Sequence, residues 1–416
     1  MVLLIYFILL YFLFGKFKSI FNFFIIIQIL SLLTSLYLKT NIELDTLRKI
    51  FNIVYIAMLY SIIFYPWLSY KNISSISIYN RSRFNNLVKA MGIISTLTLV
   101  VLVISSITVF LLVPNINTFK YSPGESTEFF YNFLPFHVRW YILGTMFYIL
   151  GYFYIPLHFY YFQQGKTRYG IYSLVLSLNV IFFGLTFFSR WTITHYVLIY
   201  LSFLFLFRKS LPKKYYAIFK IIALIGVILF LYLFIDITLD RFTQDTSYES
   251  NIPVESPIQN PSLFSTMDYV SQWYSNSLII LDNYRGQTTM GQTSLSPLLS
   301  LINHFTPFNW DADNYTNLRK RLIGDKYWYM FTGLAANWIF DFGYIMSFII
   351  ALLYNKLVKS IKPKNGVIKM DHLLLISLLI QIPLVSIFYS FLGGIILSLI
   401  LWLPMHYYLK YRVRII

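Results

Sequence analysis

Apolar residues in this chain come in long blocks separated by short polar breaks. Five blocks, residues 50–70, 90–113, 139–162, 217–236 and 332–355, have the roughly 20-residue length that carries a helix across a bilayer core. Six more, residues 3–14, 20–38, 170–188, 191–207, 373–388 and 392–408, are shorter. The pattern predicts an all-α polytopic membrane protein of about 11 transmembrane helices. One polar break, residues 238–331, is far longer than the others. Its first part, residues 240–261, is polar and punctuated by proline, which predicts a loop. Leu263, Met267, Val270, Tyr274, Leu278 and Leu281 then recur at three- and four-residue spacing. That is one face of an amphipathic helix, lying on the membrane or against the bundle. Residues 296–305 carry a proline at the first helical turn and predict a short helix. Residues 314–323 are a third helical candidate. The expected organisation is a bundle of about eight spans over residues 1–237 and a loop of short helices over residues 238–331, followed by about three spans over residues 332–416. The loop would form a lid over a membrane cavity.

Charge orients this arrangement. The polar breaks at residues 15–19, 71–89, 163–169, 208–220, 356–372 and 410–416 hold 21 of the 33 lysines and arginines and one of the 16 acids, Asp371. Everything on the opposite side holds the other 12 cations and 15 acids. Lysine and arginine in short loops are retained in the cytoplasm. The expected topology therefore has the N-terminus outside, the C-terminus cytoplasmic and the long break outside. Lys16 follows the first apolar block instead of preceding it, so residues 1–14 are expected to remain as a span and not to be cleaved as a leader.

Composition agrees. The chain is 58% hydrophobic and only 12% charged, against about a quarter charged in ordinary soluble domains. It contains no cysteine, which removes disulfides, thiolate metal sites and cysteine nucleophiles. The excess positive charge does not predict nucleic-acid binding. It sits in short juxtamembrane links, where it sets orientation and meets anionic lipid. The 40 Phe and 36 Tyr could line a path for sugars. Interfacial belts and a bias toward Ile, Asn, Lys, Phe and Tyr account for them more simply.

Candidate chemistry centres on arginines on the outer side. Arg190 stands where two spans meet with almost no loop, in FFGLTFFSRWTITH. A lipid-facing arginine is costly there unless it snorkels or has a task. Arg285 follows the amphipathic helix, beside Gly286 and Gly291, which permit close approach of backbone to a ligand. Arg319, Lys320 and Arg321 form a second cluster. Outer cations run against the retention rule, and guanidinium forks match phosphate oxygens in pairs. The competing reading pairs them with Asp282, Asp311, Asp313 or Asp325. His304 could accept a hydroxyl proton, or be a structural histidine. His137 and Arg139 flank a span start. His195 falls within a span and is expected to bond a neighbour. Asp341, in NWIFDFGYI, lies a turn or two into a span and calls for a partner or a task, with an arginine as the expected partner. No His/Asp/Glu run has metal-ligand spacing, and no nucleotide-binding glycine pattern is present. No metal and no cofactor are therefore expected.

Two stretches, SRWTITHYVLIYLSFLFLF and GQTTMGQTSLSPLLSLINHFTPFN with the later GLAANWIFDFGYIMSFIIALL, together with the span count and the single large late outer loop, resemble the bacterial oligosaccharide repeat unit polymerases. These are the Wzy-type O-antigen and capsule polymerases. Trp191 replaces the small residue often found after the Ser-Arg pair. The resemblance implies a metal-independent membrane glycosyltransferase at the outer face of the bacterial inner membrane. Its substrates would be undecaprenyl-pyrophosphate-linked glycans. It would work among membrane lipids, with a chain-length-regulating co-polymerase as partner and no nucleic acid. It implies catalytic roles for Arg190, Arg285 and His304. Arg319, Arg321, Arg139 and Asp341 would contact pyrophosphate or glycan. The O-antigen ligases share this topology. A flippase or other transporter would instead line a path with charges inside its spans.

Overall fold

The computed structural model describes residues 1–40, 47–112, 134–186, 189–242, 252–305, 317, 320–321, 331–390 and 392–410. In chain order the elements are α1 (Val2–Phe14), α2 (Ile20–Tyr37), α3 (Leu47–Phe64), β1 (Ser75–Ser77), α4 (Arg81–Leu112), α5 (Val138–Phe147), α6 (Leu150–Gln163), α7 (Thr167–Ser177), α8 (Asn179–Thr186) and α9 (Arg190–Phe207). Then follow α10 (Lys213–Phe242), α11 (Pro261–Ser271), α12 (Trp273–Asn283), α13 (Gln292–Phe305), α14 (Gly333–Ser360), β2 (Val367–Lys369), α15 (Met370–Leu379), α16 (Gln381–Leu384) and α17 (Leu392–Lys410).

The protein is all-α apart from one short parallel β1–β2 pair. Among the described residues, six helices are long and apolar enough to cross a membrane, or seven if the pair α5–α6, bent by 49°, makes one span. The expected count of 11 is not confirmed over the described residues. The first block, the block at 191–207 and the block at 373–388 form shorter apolar helices; the block at 332–355 is among the six, with a break at Gly343. Apolar runs report burial in protein as readily as in lipid. All of α6 from Leu150 to Phe162 is buried inside the protein.

The chain forms two compact units, each discontinuous in sequence. One comprises Met1–Lys71, Asn251–Lys364 and Leu379–Leu401, the other Asn72–Ser250, Asn365–Leu378 and Trp402–Ile416. This grouping cuts across the linear division at residues 237 and 331.

In the first unit α1 packs on α2, and α3 packs on α14. The amphipathic run becomes two helical segments, α11 and α12, that meet at Gln272. They rest on α2, α3 and α14. The apolar side is buried there, with Trp273, Leu278 and Leu281 inaccessible. The predicted face is rotated at its start, where Phe264 is buried and Leu263 exposed. The Trp273 indole donates to Ser31 Oγ at 2.7 Å and its ring meets Tyr60. Over these residues the long break thus packs against the bundle, one of the two placements expected for it.

Gly333 and Gly343 decide the path of α14. Gly333 has φ +67°, and a side chain there would reach within 2.8 Å of Trp273. Gly343 has φ +76° and ψ 173° inside α14, a conformation open to glycine almost alone. Residues 344–360 run along α3 and the turn after it, marked by Tyr344 at Asn52, Asn355 at Ile62 and Tyr354 at Trp67 in that turn. Residues 333–342 pack elsewhere. The N–H groups of Gly333 and Leu334 donate to Phe388 and Ser386, and the Trp338 indole donates to Ser390. The first two satisfy backbone carbonyls in residues 385–390, where the chain is not helical. Ser386 also receives Tyr60 on its carbonyl and Gln28 on its hydroxyl, both at 2.8 Å.

In the second unit α6 packs on α7 and α9, and α4 on α5 and α8. His158 is buried between Gly170 and Tyr200. His195 is buried with Nδ1 3.2 Å from the Tyr152 hydroxyl, a neighbour contact of the kind expected for it. Asp371 is also buried, with His406 Nδ1 2.8 Å from its carboxylate and its backbone carbonyl bonded to the Trp402 indole.

Candidate functional site

α12 ends at Asn283, and the chain leaves it extended through Tyr284. Arg285 follows, exposed to solvent, with its guanidinium donating to the carbonyl of Asp282 at 2.7 Å and that of Tyr284 at 3.3 Å. Arg48, in the first turn of α3, donates to the same Tyr284 carbonyl. Two cations from segments more than 200 residues apart thus meet on one oxygen. Among the described residues, the ion pairs Lys39–Glu255, His372–Asp371 and His406–Asp371 involve neither arginine. Arg48 also opposes the partial positive charge of its own helix start, where the first turn contains no acid. Two like charges gathered on one oxygen are stabilised by any anion that bridges them.

Aromatic rings floor this cluster. Tyr344 packs edge-on against Tyr284 at 5.7 Å and against Tyr55 at 4.9 Å. Its hydroxyl donates to Asn52 at 2.8 Å, while the Tyr55 hydroxyl donates to the Tyr344 carbonyl. Tyr344 lies within electrostatic reach of Arg48. Burial raises the pKa of the Tyr284 phenol above its ordinary value.

The turn after Arg285 is held by Asp341. Its carboxylate, 1% exposed, accepts from the Thr289 hydroxyl, from Thr293 N–H at 3.2 Å and from Ser294 N–H at 2.8 Å. The last two are first-turn donors of α13 that have no partner within their own helix. Asp341 is therefore a helix cap supplied from another element, and its charge suits the helix start. The Asp341 and Phe340 carbonyls accept from Gly291 and Thr289. The expected arginine partner is replaced by these donors: the demand of a buried carboxylate is met by a hydroxyl and two backbone amides.

The remaining candidates fall as follows. His304 lies in α13, longer at its start than the predicted helix. Its side chain lies outside the described residues, as does all of Arg319. Asn317, Lys320 and Arg321 are helical. Arg321 is exposed, with Nε 3.4 Å from the Asn317 carbonyl. Arg139 is exposed in the first turn of α5, in the second unit, and its N–H donates to the His137 ring at 3.2 Å. Arg190 opens α9 in the second unit, directly after the tight turn expected there, and its side chain lies outside the described residues. Ser189 N–H closes that turn on Gly184 at 2.8 Å.

Arg48 was missed by sequence reasoning. Its signal is a pair of basic residues, Arg48 and Lys49, opening a helix on the side where lysine and arginine are sparse. Among the described residues, no group of three or more His, Cys, Asp or Glu could hold a metal ion. Comparison with protein-family models, curated proteins and solved structures finds no match.

Proposed function

We propose that this protein is a membrane glycosyltransferase that polymerises lipid-pyrophosphate-linked oligosaccharide repeat units at the outer face of a bacterial inner membrane. The observation that carries this reading is the convergence of Arg48 and Arg285 on the Tyr284 carbonyl. In the reaction a hydroxyl of the incoming repeat unit attacks the anomeric carbon of the growing glycan. The bond from that carbon to the pyrophosphate oxygen breaks, and the lipid pyrophosphate leaves with the electron pair. Negative charge grows on the leaving oxygens, and guanidinium groups placed there stabilise it. The hydroxyl proton passes to a base, for which His304 is the candidate. Arg190, Arg319, Arg321 and Arg139 are further candidates for contacts to phosphate or glycan.

A second reading, transport of a lipid-linked glycan, is favoured by one observation. α14 is broken at Gly343 and the chain is non-helical between α16 and α17, and broken helices mark binding sites in transporters. Ligase activity is the third. A deletion strain separates them by its surface polysaccharide on a gel. Loss of a polymerase leaves a single capped repeat. Loss of a ligase or flippase leaves none, and only flippase loss traps the lipid-linked repeat on the cytoplasmic leaflet. A full-length ladder in the deletion strain refutes all three.

A further inference from the structure

Asp341 and Asp371 are each 1% exposed, but they are satisfied in different ways. Asp341 receives three hydrogen bonds. Among the described residues, neither carboxylate oxygen of Asp371 accepts an aligned hydrogen bond. Imidazoles face it instead. His406 Nδ1 lies 2.8 Å and His372 Nε2 3.8 Å from the same oxygen. Asp371 also stands in the first turn of α15, where the helix start offers partial positive charge. A buried carboxylate without hydrogen bonds is stable only beside a counter-charge. Asp371 is moreover the one acid in the polar breaks that the charge pattern assigns to the cytoplasm.

His406 supplies that counter-charge better than His372. It is nearer, and its ring stacks on the Trp402 indole with centroids 4.7 Å apart and planes inclined by 28°, a contact that favours a cation. Burial opposes a positive charge on His372, and so do Lys369, His406 and Lys410. Lys369, the last residue of β2, bonds the Tyr79 hydroxyl and lies 5.0 Å over its ring. Arg83 of α4 donates to the Tyr408 carbonyl at 3.3 Å. The Trp402 indole donates to the Asp371 backbone carbonyl at 3.0 Å. Carboxylate, imidazole and indole thus tie the end of α17 to the start of α15, all within the second unit.

We propose that Asp371 and His406 form a proton-binding site, and that the proton held there latches the end of α17 to the start of α15. With the proton bound, imidazolium and carboxylate make a neutral buried pair. Nδ1 faces the carboxylate, so Nε2 is the nitrogen that gives its proton up to water. The His406 side chain is 17% exposed against 1% for Asp371, which leaves the histidine as the group that meets solvent. Loss of the proton leaves a net negative charge in a buried place and favours release of α17. The latch is therefore closed at low pH and opens as pH rises, over the range in which imidazoles change charge. This goes beyond the polymerase reading and does not depend on it.

The test is amide hydrogen exchange of the full-length chain in nanodiscs between about pH 5.5 and about pH 8.5. Rates are expressed as protection, so that the intrinsic pH dependence of exchange drops out. In the wild type, protection of residues 402–410 should fall about tenfold across this range, while that of residues 150–162 stays constant. Asp371→Asn removes the buried charge and should abolish the pH dependence. His406→Gln leaves the carboxylate alone and should give low protection at every pH. Asp371→Asn combined with His406→Gln removes both charges and should restore protection at every pH. Because His406→Gln alone could misfold, fluorotryptophan NMR gives a second reading. The Trp402 resonance, assigned with Trp402→Phe among the eight tryptophans, should shift with pH in the wild type and equally in His372→Gln. Protection independent of pH in the wild type would overturn the proposal, as would an unchanged pH dependence in Asp371→Asn. A Trp402 shift that vanishes in His372→Gln, or persists in a folded His406→Gln, would also overturn it by assigning the proton elsewhere.

Discussion

Replacing Asp341 with alanine should release the start of α13 and, with it, the turn that carries Arg285. Three donors converge on this carboxylate. Hydrogen bonds to a charged acceptor contribute about 1.5–3 kcal/mol each, and a buried donor left without a partner costs about 1–3 kcal/mol. The Thr289 hydroxyl keeps Thr293 Oγ1 at 3.1 Å, so the cost falls on the two backbone amides. Loss of a helix cap alone costs about 1 kcal/mol. Together these give about 3 kcal/mol of local destabilisation, or roughly a hundredfold in the opening equilibrium. Amide hydrogen exchange in nanodiscs reads this directly, since Thr293 and Ser294 N–H are the groups that lose their acceptor. Their exchange should accelerate about a hundredfold in Asp341→Ala. Asp341→Asn keeps one acceptor oxygen and should fall between, at about tenfold. Amides of α3 and residues 344–360 should be unaffected. Unchanged exchange at 293–294 would refute the cap, and a uniform rise throughout the unit would show that Asp341 supports the whole bundle instead.

Arg48→Ala and Arg285→Ala should each slow polymerisation about a hundredfold at normal membrane abundance, with the lysine variants retaining part of the activity. Wild-type polysaccharide ladders from both alanine variants would refute the phosphate clamp. Gly343→Ala should lower the thermal midpoint through backbone strain of about 1–3 kcal/mol. The nearest atoms to the new methyl group, at 3.5 and 3.6 Å, leave room for it, so an unchanged midpoint would mean that α14 does not break there. Chelation should leave polymerisation by the purified enzyme intact, and activity lost to chelator and restored by Mg²⁺ would require a different mechanism. Tags inserted after Lys214 and Lys364 should report cytoplasm and one near Glu255 the exterior. A cytoplasmic tag at Glu255 would put the arginine cluster on the wrong side for this reaction.

Much of the architecture was legible in the order of residues. Apolar blocks long enough to span a bilayer required a helical membrane protein, because lipid leaves backbone amides no partner outside a helix. The spacing from Leu263 to Leu281 marked α11 and α12, and Ser-Arg after a glycine-bearing helix marked the tight turn before α9. Arg285 stood out because a cation on the acid-rich side needs a reason. Other features needed the folded chain. Hydropathy carries no sign of a bend, so the 49° angle between α5 and α6 and the break in α14 went unseen. The glycine at 343 looks like any other until its φ is known. Asp341 called for a partner, but its partners were a hydroxyl and two amides 47 to 52 residues earlier in the chain, and backbone donors carry no residue-type signal. Arg48 became part of a site only when α3 packed against the segment after α12. Local pattern determines which segments are helical and which faces are apolar; convergence of charges from distant segments is a property of packing alone.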